Sequence, residues 1–162
     1  MKNEKLVEEW LRFSKNDSDT VDYLYNNMRP LPLEIICYHS QQAVEKLLKG
    51  LLTAKNISFD KKHDLTYLYD LLDSGNSTIT KEFECCARLT PYGVAVRYPG
   101  GTQITEAETK QAISDMKVVS LWVKKEFVNM QEQEKHEEIE EQEPKKASPS
   151  PKSKADDDGR GQ

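Results

Sequence analysis

The chain has 162 residues, 31% of them charged and 36% hydrophobic, with a formal net charge of -5. That length suits one domain with a tail. The acidic balance excludes a basic coat for nucleic acid, and no apolar run reaches the ~18 residues of a membrane span. The start, Met1-Lys2-Asn3-Glu4-Lys5, lacks the apolar stretch of a signal peptide. Cys37, Cys85 and Cys86 are odd in number and lack metal-ligand spacing. No disulfide framework, metal or cofactor is therefore expected, and the expected setting is cytoplasmic, away from membranes.

The first predicted helix runs from about Asn3 to Asn26. Leu6, Trp10, Phe13, Asp17, Val21 and Leu24 recur at steps of three or four and make its expected inner face. Asn26-Asn27 and Pro30-Leu31-Pro32 end it. Pro32 suits the first turn of a second helix, predicted to reach Thr53 or Ala54. Its expected buried stripe is Ile36, Cys37, Ala43, Val44, Leu47, Leu48 and Leu51. A short third helix opens at His63-Asp64 and turns Leu65, Leu68 and Leu72 inward. The cluster Asp73-Ser74-Gly75-Asn76-Ser77 reads as a turn. A fourth helix is predicted from Thr80 to Leu89, with Phe83, Cys86 and Leu89 inside. Pro91 predicts a kink or break, and Pro99-Gly100-Gly101 a loop.

The last helix starts at Thr105-Glu106-Ala107-Glu108, a capping box in which the threonine oxygen accepts a free N–H and Glu108 reaches back. Ala112, Met116, Val119, Val123 and Phe127 form its expected inner face. No segment alternates long enough to demand a strand. The fold class is therefore all-α: an antiparallel up-and-down four-helix bundle plus a short fifth helix.

Residues 131–162 hold six basic and ten acidic residues, and Ile139 is their only large apolar side chain. Such a segment buries too little surface to offset the entropy of ordering it. The domain is placed at 1–130, with 131–162 a charged, largely disordered tail whose first part, to 143, is at most a fraying helical extension.

Four polar residues of the second helix carry the first candidate chemistry. His39, Gln42, Lys46 and Lys49 fall at i, i+3, i+7 and i+10, within about 80° of one another on a helix. An imidazole, an amide and two ammonium groups in a row suit the phosphates of a nucleotide or RNA. Arg97-Tyr98-Pro99-Gly100 is the second constellation: a guanidinium grips phosphate oxygens bidentately and a tyrosine stacks on a base. Arg88 and Tyr92, four residues apart, come just before it. His63-Asp64 reads first as a capping arrangement. There is no phosphate-binding glycine loop, zinc-protease helix or serine elbow.

The run Cys37-Tyr38-His39-Ser40-Gln41-Gln42-Ala43-Val44-Glu45-Lys46-Leu47-Leu48-Lys49-Gly50 resembles the signature helix of HEPN domains (higher eukaryotes and prokaryotes nucleotide-binding). Trp10, His63-Asp64-Leu65 and Arg97-Tyr98-Pro99-Gly100 follow the family's order, so the resemblance covers roughly residues 5–128. It implies a helical bundle that commonly forms homodimers. It also implies a nucleotide- or RNA-binding role beside a minimal nucleotidyltransferase partner, often as a toxin–antitoxin pair. Carried over, the candidate contacts are His39, Gln42, Lys46, Lys49, Arg97 and Tyr98. Some HEPN proteins are metal-independent ribonucleases with an Arg, four to six residues, then a His. After Arg12, Arg29, Arg88 and Arg97 the required windows hold no His. A ribonuclease here would need a non-standard site, with Arg88 or Arg97 beside His39 or His63. A structural adaptor is the third reading.

Overall fold

A computed structural model describes residues 3–73, 79–94 and 103–142. Its helices are α1 (Glu4–Asn27), α2 (Leu33–Ala54), α3 (Leu65–Leu72), α4 (Lys81–Leu89) and α5 (Glu106–Gln142). Each predicted helix is present, and among the described residues there is no strand. The helix ends follow local chemistry. Asp64 caps α3 by accepting from the Thr66 and Tyr67 amides, and Thr80 caps α4 through the Phe83 amide. Thr105 and Glu108 make the expected reciprocal box at α5. Asn56, at φ 55, closes α2 as the Ile57 amide donates back to Leu52. The break expected at Pro91 takes the form of a 3-10 turn, Thr90–Gly93, directly after α4.

Cross-links along the helices set their directions. Ser14 Oγ on α1 donates to the Ala43 carbonyl, and Asp17 meets His39 further back along α2, so α1 and α2 are antiparallel. Cys37 meets Thr109 near the start of α5 and Lys55 pairs with Glu126 near its middle, so α2 and α5 run the same way. Arg88 ties α4 to Asp115 of α5 through two bonds of 2.9 and 2.8 Å. The four longer helices thus alternate up and down, and α3 bridges α2 and α4.

The core gathers Ile36, Cys37, Ala43, Val44, Leu48, Leu51 and Leu52 of α2 with Leu65, Leu68, Cys86, Leu89, Met116, Val119 and Val123. The predicted inner faces hold for α3 and for most of α5, where Phe127 is only partly buried. On α4, Cys85 is buried and Phe83 packs at the edge. On α1 the expectation is corrected. The buried positions are Val7, Ser14, Asp17 and Val21, while Leu6 and Phe13 are 46% and 47% exposed. At this rotation the Ser14 hydroxyl points inward and bonds to α2. On α2, Leu47 is only partly buried, and the polar Ser40, Gln41, Glu45 and Lys49 are buried as well. Helix α2 is the central element, with neighbours on nearly every side.

Helix α5 continues well past Met130, and the side chains of 131–139 are all exposed. Among the described residues no helix is long and apolar enough to cross a membrane.

Candidate functional site

The polar residues singled out on α2 share one face of the helix, but none of the lysines stands free. His39 Nδ1 lies 2.7 Å from one oxygen of Asp17, and Lys46 Nζ donates to the other. One turn further, Glu45 collects a second set. Lys49 Nζ donates to it at 2.7 Å, Gln41 Nε2 at 3.0 Å, and His63 Nδ1 lies 3.0 Å from it. Gln42 Nε2 donates to Gln41 Oε1 at 2.8 Å. The sequence reading of a bare cationic strip is thereby refined. Two carboxylates each sit between an imidazole and an ammonium group, and with neutral rings the four formal charges cancel.

Each position has a local reason. Gln41, Glu45 and Lys49 are spaced at i, i+4 and i+8 on α2, so the amide and the ammonium meet the carboxylate along one helix edge. Burial alone would push the Glu45 carboxyl up, but the bonds from Lys49, Gln41 and His63 and the charge of Lys49 outweigh it and hold the carboxyl below its usual range. The Asp64 cap orients the start of α3, and the preceding His63 carbonyl accepts from Gln41 Nε2 at 3.2 Å. Asp17 enters from α1, and its neighbour one turn back, Ser14, is already bonded to α2. Lys49 also lies over the Trp10 ring, 5.8 Å from its centre.

Gly93, the last residue of the 3-10 turn, rests on the same patch. A Cβ there would come 2.9 Å from Gln41 Nε2, so any larger residue would have to push the Gln41 amide aside. Arg97 and Tyr98 follow four and five residues later and lie outside the described residues. Arg88 is engaged elsewhere: its guanidinium grips Asp115, which is 2% exposed, and Gln111 donates to the same carboxylate. Those bonds and the Arg88 charge overcome burial and keep Asp115 below the ordinary carboxylate range. The three thiols are buried and free, and burial pushes Cys37 and Cys85 up to about 11, which leaves no thiolate nucleophile. Among the described residues no group of His, Cys, Asp and Glu is placed to hold a metal ion.

A groove of about 810 Å³ lies on the other edge of α1. It runs between α1 and α5, over an apolar floor that includes Val7, Leu11, Leu47, Met116 and Phe127. None of the α2 polar residues lines it.

A family profile for the HEPN domain matches residues 7–126. The chain belongs to the HEPN family. The fold agrees. A crystal structure of ST0689, an archaeal HEPN homologue, superposes with a TM-score of 0.59 at 24% identity, covering 73% of this chain and 94% of that one. The crystal structure of TT1696 from Thermus thermophilus gives 0.60 at 20% identity, covering 78% and 99%. Among curated proteins none matches the chain. The residues the sequence reading missed are Asp17, as a site member, and Glu45. Their signals were present: an acidic residue in an otherwise apolar stripe of α1, and a carboxylate four residues from both an amide and a lysine.

Proposed function

We propose that this HEPN chain is a nucleotide- or RNA-binding module that receives phosphate against the polar face of α2. The observation that carries the reading is the convergence on one patch of His39, Gln42, Lys46 and Lys49 with His63 from the next connection. Each group is held in place by a neighbour, so the order needed for recognition is present before a ligand arrives. Arg97 and Tyr98 belong to the same reading as a bidentate phosphate grip and a stacking surface. Free, buried thiols support a cytosolic setting. The family resemblance adds homodimers, a nucleotidyltransferase-type partner and a toxin–antitoxin pairing to this proposal.

The test is fluorescence anisotropy with a short fluorescein-labelled RNA and with labelled nucleotide, at fixed salt. The double variant Lys46→Ala, Arg97→Ala should lose at least about tenfold in affinity, equivalent to ~1.4 kcal/mol, while its circular dichroism stays helical. Unchanged binding would remove the assignment.

One observation favours a second reading, a metal-independent ribonuclease. Both imidazoles are held at Nδ1 by a carboxylate, the arrangement that fixes a tautomer and leaves Nε2 to exchange protons. Cleavage of a generic RNA in the presence of a chelator, lost in both His39→Ala and His63→Ala, is the result this reading requires.

A further inference from the structure

We propose that the Asp17 carboxylate is an internal stand-in for phosphate, which a bound phosphodiester replaces. This rests on the binding role proposed above and concerns how that same site is controlled. The geometry is specific. The two oxygens of one carboxylate are shared between His39 Nδ1, at 2.7 Å, and Lys46 Nζ, one donor to each oxygen. Two nonbridging phosphate oxygens offer the same pair of acceptors on a single central atom. The donors therefore already hold the kind of fork an anion would present. Asp17 reaches them from a different helix, so it can be exchanged without unwinding α2. Its side chain is 11% exposed, and those of His39 and Lys46 are 27% and 22% exposed, so the fork meets solvent on one side.

The physical consequence has a definite sign. An incoming phosphate must displace a negative charge that occupies its donors, or bind beside it against repulsion. Removing that charge strengthens binding. If Asp17 instead served only to orient His39 and Lys46 for the ligand, removing it would weaken binding.

The experiment compares the full-length wild type with Asp17→Asn, using the same labelled RNA at fixed pH and salt. Asp17→Asn should bind about fivefold tighter or more, the size of one unit-charge repulsion at ~4 Å in bulk water. Asp19→Asn is the control. It removes the same charge from an exposed pair with Lys15 on the other side of α1, and should change affinity less than about twofold, the effect of a screened surface charge. Adding Lys46→Met to Asp17→Asn should abolish the gain. Equal gains from Asp17→Asn and Asp19→Asn would reduce the effect to net charge and overturn the proposal. Weaker or unchanged binding by Asp17→Asn, with wild-type binding intact, overturns it while leaving the binding role standing. No binding by either protein removes both. A variant that no longer folds also overturns it, because a counter-ion exchangeable for phosphate must be dispensable to the fold.

Discussion

At the scale of single residues, Glu45 carries the heaviest structural duty on the polar face. It is 4% exposed and takes bonds from Lys49, Gln41 and His63. Truncating it leaves the Lys49 ammonium, whose side chain is 10% exposed, without its partner. Glu45→Ala should cost about 3–5 kcal/mol of stability, the range for removing one member of a buried ion pair. Urea unfolding followed by circular dichroism measures it. The carboxyls of Glu45 and Asp115 are both depressed in the folded chain. The unfolded chain therefore binds protons more tightly at these sites, and stability falls as pH falls. The contribution is complete above the ordinary carboxylate range and disappears as pH drops through about 4 and below. Urea midpoints that stay level from neutral pH to about pH 3, below the ordinary carboxylate range, would contradict this.

At the scale of elements, the α1–α2 contact decides whether Asp17 reaches His39 and Lys46. Gly50 lets the helices cross closely, since a Cβ there would lie 3.2 Å from the Trp10 Cβ. That neighbour is next to backbone and yields little. A valine at this position adds still more bulk to a tight crossing, and overpacking of this kind costs about 1–3 kcal/mol. Gly50→Val should lower the melting temperature and also disturb the Asp17–His39 contact, seen as a changed His39 ring signal by NMR. The α1 rotation shows why periodicity alone misplaced the inner face. Leu6 and Phe13 fit an apolar stripe by spacing, yet Ser14 and Val7 are buried instead. At the observed rotation Ser14 faces α2 and bonds to the Ala43 carbonyl across the crossing, a pairing that apolar spacing along α1 does not display.

At the scale of the whole molecule, α5 is far longer than its bundle partners. Its 37 residues correspond to about 55 Å, against about 33 Å for the 22 residues of α2. The side chains of 131–139 are exposed, so that stretch contributes little to the core. A chain ending at Met130 should keep its unfolding midpoint in urea within experimental error. A drop of more than ~1 kcal/mol, far above what exposed surface positions contribute, would show that the segment supports the bundle.

The sequence by itself determined the all-helical class, the helix order and most of the inner faces, because burial imposes a helical rhythm that single residues display. It also placed the caps at Asp64 and Thr105 and the start of α4 at Thr80, because the chemistry of helix ends is local. His39, Gln42, Lys46 and Lys49 were legible as one face of α2 for the same reason. Only the tertiary structure decided what those groups do to one another. Asp17 is twenty-two residues from His39 in the chain, and Glu45 is eighteen from His63. No helical period connects such pairs. Whether a lysine is free or neutralised depends on which helix leans over it, and that is settled by packing across the bundle.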